Sequence, residues 1–291
     1  AGLCGVVGLK PTYGMVSRYG LMAMGSSLDQ IGPFAHTVED ARLLFDAIKG
    51  HDSLDSTSLP NGFFPNDAGL KKRVGVPRAF LQAGIDADVL ARFEETLAYL
   101  KKQGHTIVDV AIPSLAHALA VYYIIMPAEA STNLARFDGI RFGLSVDSDD
   151  IIDVYKKTRG MGFGREVRRR ILVGTFVLSS GYVDAYYRKA IAVRNVIRND
   201  FKKAFTDVDV IVTPTSPTPA FKAGEKEDPL AMYAADIFTV PVNLAGVPAI
   251  SVPTGSVARD GINLPVGFQI IAPMGREDRL FTVGSVVEKM E

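Results

Sequence analysis

Residues 73–110 read RVGVPRAFLQAGIDADVLARFEETLAYLKKQGHTIVDV. The opening RVGVP is a short apolar run closed by a proline, which predicts a strand. Between residues 86 and 102, Val89, Phe93, Leu97 and Leu100 recur at three- and four-residue intervals, the spacing that lines side chains along one side of a helix, and Gly104 marks its end. Residues 106–110 form a second strand. Strand, helix and strand over this distance make a β-α-β unit, so the chain reads as an α/β layered fold whose sheet is largely parallel in this region.

The pattern extends outward in both directions. Thr37 with Asp40 has capping-box-like spacing, Val38, Ala41, Leu44, Phe45 and Ile48 give the following helix one apolar face, and Gly50 supplies its stop. The polar run HDSLDSTSLPNG at 51–62 reads as a solvated connection. Residues 4–33, CGVVGLKPTYGMVSRYGLMAMGSSLDQIGP, are punctuated by glycines where backbone must turn or approach another segment closely, with Val6, Val7 and Leu9 as a short buried strand. Beyond the β-α-β unit, helices are expected over 115–137, 149–158, 166–178 and 182–205, the last two split at Ser179-Ser180-Gly181. RGMGFGREV at 159–167 has the look of a phosphate loop but fits neither glycine template, and is expected to be a loop leading into a helix. Residues 208–212 are a β-branched strand running into TPTSPTPAF, where the prolines argue against helix and central strand alike. Residues 249–252 and 266–271 read as buried strands, and 277–289 as a terminal helix with Leu280, Val283, Val286 and Val287 inward.

Composition narrows the function classes. The 291 residues are 47% hydrophobic and 22% charged, enough to bury a large core, and 32 basic residues balance 32 acidic ones, so no global electrostatic footprint for a polyanion exists. The single cysteine, Cys4, rules out an intrachain disulfide and is expected to be a small buried hydrophobe in a reducing compartment. The longest apolar run, 115–126, is too short to span a bilayer, so a cytoplasmic protein with no membrane partner is expected. His36, His51, His105 and His117 show no i, i+4 pairing that would hold zinc, and no metal site is expected. No G-x-S-x-G elbow occurs, so the residues themselves offer no nucleophile.

The segment CGVVGLKPTYG at 4–14 resembles the amidase-signature family. Its continuation SRYGLMAMGSSLDQIGPFAHTVEDA at 17–41 is similar to the A-subunit branch of the aspartyl/glutamyl-tRNA amidotransferases. The resemblance runs on through YYIIMPAEASTNLARFDGIRFG at 122–143, GFGREVRRRILVGTFVLSSGYVDAYYRKA at 162–190, TPTSPTPAF at 213–221, PVNLAGVPAISVPTG at 241–255 and PVGFQIIAP at 265–273. It implies a mixed central β-sheet covered by helices on both faces, with residues 1–291 forming the C-terminal portion of one amidase-signature domain. The family's catalytic lysine and two serines are expected upstream of Ala1, so no catalytic residue is expected in this chain, which alone should be inactive. The implied activity is glutamine hydrolysis that supplies ammonia for converting Glu-tRNA or Asp-tRNA to Gln-tRNA or Asn-tRNA. The implied partners are a B subunit, which uses ATP and Mg and carries most of the tRNA contact, and a bracing C subunit, with no cofactor bound by this chain. A free-standing amidase of a small amide, or an inactive fragment, are the alternative readings.

What the chain can contribute is recognition of glutamine's amino-acid end. An ammonium and a carboxylate call for one acid, one fork-shaped base and a neutral hydrogen-bonding group. Three positions in family-matching motifs meet that need. Asp236 in MYAADIFTVPVN would pair the α-ammonium, Arg170 in EVRRRILVGT would take the α-carboxylate, and Tyr122 in VYYII would line the pocket and donate its hydroxyl. Pattern does not separate Tyr122 from Tyr123, and of the adjacent Arg168, Arg169 and Arg170, which cannot share one helix face, two are expected at the surface. Asp236 lies between apolar residues and is expected to have a buried partner.

Overall fold

The computed structural model describes residues 1–63, 69–81, 84–225 and 229–290. The chain divides into two compact units. Residues 1–19, 30–119 and 194–291 form the first, and residues 20–29 and 120–193 the second.

The first unit is built on a seven-stranded sheet in the order β2-β1-β6-β7-β5-β3-β4. Its strands are β1 (Val7–Lys10), β2 (Phe34–Ala35), β3 (Arg73–Val76), β4 (Thr106–Asp109), β5 (Val210–Pro214), β6 (Ala249–Arg259) and β7 (Ile262–Ile271). The β-α-β unit holds as read: β3 and β4 run parallel, joined by α2 (Ala87–Lys102), which buries Val89, Phe93, Leu97 and Leu100. β5 is also parallel to β3, and every other pairing is antiparallel, so the sheet is mixed. Phe93 stacks on Phe268 of β7 with ring centroids 5.3 Å apart, placing α2 over the sheet. α1 (Val38–Ile48) is capped as expected, the Thr37 hydroxyl accepting from the Asp40 N–H at 3.0 Å. α9 (Glu277–Glu288) buries Leu280, Val283 and Val287.

Several expectations are corrected. The stripe that α1 buries is only Val38, Ala41 and Phe45 wide, and Leu44 and Ile48 stay exposed. Cys4 is exposed, because it sits in the turn closed by its N–H to the Ala1 carbonyl rather than in β1. Prolines do enter strands. Pro214 ends β5 opposite Phe268, beyond the point where β3 stops pairing, so its missing N–H breaks no second ladder. Pro253 sits at the register shift of the β6–β7 hairpin. That hairpin is longer than the two apolar runs suggest, because Asp260 and Gly261, both at positive φ, make the two-residue turn that matches strand twist. The 51–62 connection is more than solvated: buried Asp55 accepts from the Arg18 and Thr57 N–H groups at 2.8 and 2.9 Å and from the Thr57 hydroxyl at 2.7 Å.

The second unit is helical: α3 (Ala118–Asn133), α4 (Ile151–Gly162), α5 (Arg165–Leu178), a π-helical turn at Asp184–Arg188 and the start of α6 (Lys189–Ala204). Gly160 and Gly162 continue α4, leaving only Phe163 and Gly164 between it and α5, so the expected glycine loop is a helix-to-helix corner. Two short helices, α7 (Pro229–Ala234) and α8 (Val240–Ala245), belong to the first unit. No helix among the described residues is long and apolar enough to cross a membrane.

Candidate functional site

In the second unit the site is set by how closely α3 and α5 approach. A Cβ on Gly174 would lie 1.9 Å from the Pro127 carbonyl oxygen and 2.8 Å from the Ser131 Cβ, so only glycine lets the two backbones touch there. One turn earlier on α5, this contact carries Arg170 to α3, where its Nη1 lies 3.3 Å from the Met126 sulfur and its guanidinium comes near Tyr122. On the other edge, Arg170 Nε donates to Glu166 Oε1 at 2.8 Å along the helix. Burial pulls the Arg170 guanidinium down, but the hydrogen bonds and charges of Glu166 and Tyr122 outweigh it and raise its pKa. The three arginines separate as helix geometry requires: Arg168 is exposed, Arg169 pairs with Glu166 near the surface, and the Arg170 side chain, 20% exposed, turns inward. Tyr123 meets Tyr122 edge-on at 4.9 Å, and Tyr122 lies near enough to Arg170 to help raise its pKa.

Two family-matching motifs meet in the same unit. The Ser27 N–H donates to Glu129 Oε2 at 2.9 Å, and Asn133 Nδ2 donates to the Met24 carbonyl at 3.0 Å and to Ser26 Oγ at 2.9 Å. Asp29 accepts from the N–H groups of Met24 and Gly25. The SSLDQ segment is thereby strapped to α3 by side chains that the sequence reading did not single out.

Asp236 belongs to the first unit and is exposed, because it lies in the turn between α7 and α8. Its carbonyl accepts from the N–H groups of Thr239 and Val240 at 3.1 and 3.0 Å. The turn is anchored from below by Gln269 of β7, a fully buried amide whose Nε2 donates to the Phe238 carbonyl at 2.9 Å and the Thr213 hydroxyl at 2.8 Å. A lone glutamine inside GFQII was the sequence signal for this anchor.

The first unit holds a second polar cluster that sequence reasoning missed. Lys10 Nζ donates to the Pro11 carbonyl at 3.0 Å and Gln30 Oε1 at 3.2 Å, and Gln30 Nε2 donates to Asn243 Oδ1 at 2.8 Å. Nearby, buried Glu277 accepts from the Thr12 N–H at 2.7 Å, and Gly275 N–H donates to the Thr12 hydroxyl. Burial pushes the Lys10 ammonium down to about 7, against the opposing pull of the Glu277 charge. A cation forced toward neutrality beside a carboxylate is the environment in which a lysine titrates near neutral pH.

A family model described as Amidase matches residues 1–281. The chain is 52% identical to the A subunit of glutamyl-tRNA(Gln) amidotransferase from Microcystis aeruginosa, over 99% of this chain and 60% of that protein. It is likewise 52% identical to the protein of the same name from Caldanaerobacter subterraneus, with the same two coverages. Among solved structures, the A subunit of glutamyl-tRNA(Gln) amidotransferase from Thermotoga maritima superposes with a TM-score of 0.77 at 42% identity, covering 99% of this chain and 58% of that one. The chain thus spans about 60% of the length of the relatives it matches.

Proposed function

The chain belongs to the amidase family, and from that premise we propose that it forms the glutamine-recognising part of the glutaminase component of a tRNA-dependent amidotransferase. The observation that carries this reading is the Arg170–Tyr122 pair, held by the Gly174–Pro127 contact, in a chain half identical to proteins named for that enzyme. With Nε held by Glu166 and Nη1 against the Met126 sulfur, the guanidinium offers Nη2 to a carboxylate, which suits the α-carboxylate of free glutamine. Tyr122 contributes a hydroxyl beside it. Asp236, exposed at the α7–α8 turn of the first unit, is the acid that the family resemblance assigns to the α-ammonium.

In this reading the reacting groups, a lysine and two serines, lie in the part of the relatives' length that these residues do not span. A serine oxygen attacks the side-chain amide carbon of glutamine, its proton passing through the second serine to the neutral lysine. Backbone N–H groups stabilise the tetrahedral oxyanion, the C–N bond breaks, and the nitrogen leaves as ammonia once protonated. Water then releases glutamate from the acyl-enzyme. The ammonia passes to a B subunit, which activates Glu-tRNA or Asp-tRNA with ATP and Mg, braced by a C subunit, in the cytoplasm.

The test is ammonia release from glutamine by residues 1–291 alone and by the full-length protein, each compared with simple amides lacking the amino-acid end. The expected result is activity in the full-length protein only, with glutamine strongly preferred. Equal turnover of simple amides would favour a free-standing amidase, and turnover by residues 1–291 alone would require a nucleophile within them.

A further inference from the structure

Asp236 owes its place to α8, a helix of only six residues. A helix that short makes few bonds of its own, and Pro241 in its first turn removes a donor, so tertiary anchors must set it. At its start, the Val240 N–H donates to the Asp236 carbonyl at 3.0 Å and the Asn243 N–H to the Thr239 carbonyl at 3.3 Å. Turn and helix are thus one hydrogen-bonded run, and a rotation of α8 is passed on to Asp236. Gln269 holds the turn at the Phe238 carbonyl, and at the far end Arg194 and Arg198 donate to the Leu244 carbonyl at 2.9 and 3.4 Å. Those anchors grip backbone. Every residue of α8 except Asn243 is buried among apolar groups, whose packing is not directional, whereas a hydrogen bond to a side chain fixes rotation. Asn243 stands seven positions after Asp236, about two helical turns on, which places the two on one side of the run.

The bond that fixes Asn243 comes from Gln30, whose Nε2 donates to Asn243 Oδ1 at 2.8 Å. A glutamine amide can point either way, and Lys10 decides between them. An ammonium has donors and no acceptor, so Lys10 Nζ, 3.2 Å from Gln30 Oε1, turns that oxygen toward β1 and leaves Nε2 facing Asn243. Lys10 itself is set in the sheet, opposite Ala249 of β6. The loop carrying Gln30 is fixed to the same strand. There the Leu9 N–H donates to the Pro33 carbonyl at 3.0 Å, and a Cβ on Gly32 would lie 2.0 Å from the Leu9 oxygen. A line of contacts therefore runs from β1 through Gln30 and Asn243 to the turn that carries Asp236, and all of it lies within the first unit.

We propose that Gln30 is a positioning residue for glutamine recognition: through Asn243 it fixes the rotation of α8, and with it the direction in which Asp236 presents its carboxylate to the α-ammonium. The inference rests on the role given to Asp236 above and deepens it. Gln30 acts at one remove, so its loss should weaken binding of the amino-acid end and spare the chemistry at the side-chain amide.

The experiment measures ammonia release by the full-length protein from glutamine and from glutaramate, which keeps the side-chain amide and the carboxylate but lacks the α-ammonium. Gln30→Met keeps the length of the side chain and removes both bonds. It should raise KM for glutamine about tenfold, hold kcat within about twofold, and leave kcat/KM for glutaramate unchanged. Asn243→Ala should do the same, while Asn243→Asp, whose carboxylate still accepts from Gln30, should stay within about threefold of the wild-type KM. Asp236→Asn should raise KM for glutamine by itself, and adding Gln30→Met should raise it no further, since both act through one group. A purely structural role for Gln30 would lower turnover of both substrates and add to the Asp236→Asn effect, and either result overturns the proposal. So does a wild-type KM in Gln30→Met beside a raised KM in Asp236→Asn, which leaves the role of Asp236 standing. A wild-type KM in Asp236→Asn would remove Asp236 from the pocket and this inference with it. Where Gln30→Met fails to fold, as read from its Tm, Asn243→Ala against Asn243→Asp carries the same comparison.

Discussion

Replacing Gly174 by alanine tests whether the α3–α5 contact sets the site. Ala is the better helix former by about 1 kcal/mol, so propensity alone predicts stabilisation. The structure predicts the reverse. The added methyl would sit 1.9 Å from the Pro127 oxygen and 2.5 Å from its carbonyl carbon, both backbone atoms that cannot swing aside. Restoring an ordinary carbon–oxygen separation moves α5 back by roughly 1.3 Å, and overpacking of that kind costs about 1–3 kcal/mol, which offsets the propensity gain and leaves a net loss of up to about 2 kcal/mol. Function should suffer more than stability. Arg170 is one turn away on the same helix, and a shift of about 1 Å draws it away from Met126 and Tyr122 on α3, enough for roughly a 100-fold fall in kcat/KM for glutamine. Gly160 in α4 is the control. A Cβ there meets nothing within 4 Å, so Gly160→Ala should add about 1 kcal/mol and leave kinetics alone. Urea denaturation and ammonia-release kinetics of the full-length protein decide the matter. A Gly174→Ala protein as stable as Gly160→Ala, with wild-type kcat/KM, would refute the reasoning.

The other predictions concern single groups. Arg170→Ala should reduce kcat/KM for glutamine by an amount equivalent to about 2–5 kcal/mol, the usual cost of stranding one partner of a charged pair, and wild-type kinetics would remove Arg170 from the pocket. Lys10 titrates at about 7 when folded against an ordinary 10.5, so across that window the unfolded chain holds more protons and stability rises with pH, by at most about 1.4 kcal/mol per pH unit. The difference in unfolding free energy between wild type and Lys10→Met, measured from pH 6.5 to 9, should carry that slope, and a flat difference would count against it. Burial opposes ionisation of Asp55, but hydrogen bonds from Thr57 and Arg18 together with the Arg18 charge outweigh it and lower its pKa to about 2. Its contribution, about 2 kcal/mol, is complete above 3.8 and is lost as pH falls through 2, so Asp55→Asn should lose that stability at pH 7 and converge on the wild type in acid. Gln269→Leu strands the Thr213 hydroxyl and the Phe238 carbonyl and should cost about 1–3 kcal/mol, read as a lowered urea midpoint.

Much of the fold is legible in local pattern. Val89, Phe93, Leu97 and Leu100 mark α2 and the strands it joins, the Thr37 cap starts α1, and the helix split at Ser179-Ser180-Gly181 is where the structure has it. These features depend on neighbours a few residues away, so spacing reports them. The Asp260-Gly261 turn is equally local, and without it the apolar runs alone make β6 and β7 too short.

What the sequence by itself determined is the α/β class, the family motifs and three candidate residue types for an amino-acid pocket. Tertiary structure decided which of them meet. It turned Arg170 inward rather than its two neighbours and set it against Met126 and near Tyr122, because helix rotation and one glycine-permitted contact set which side chains face α3. It also left Asp236 exposed at a turn and turned LSSGYVDAYYRKA into a solvent-facing aromatic cluster, since burial depends on what lies across space and not on which residues stand alongside in the chain.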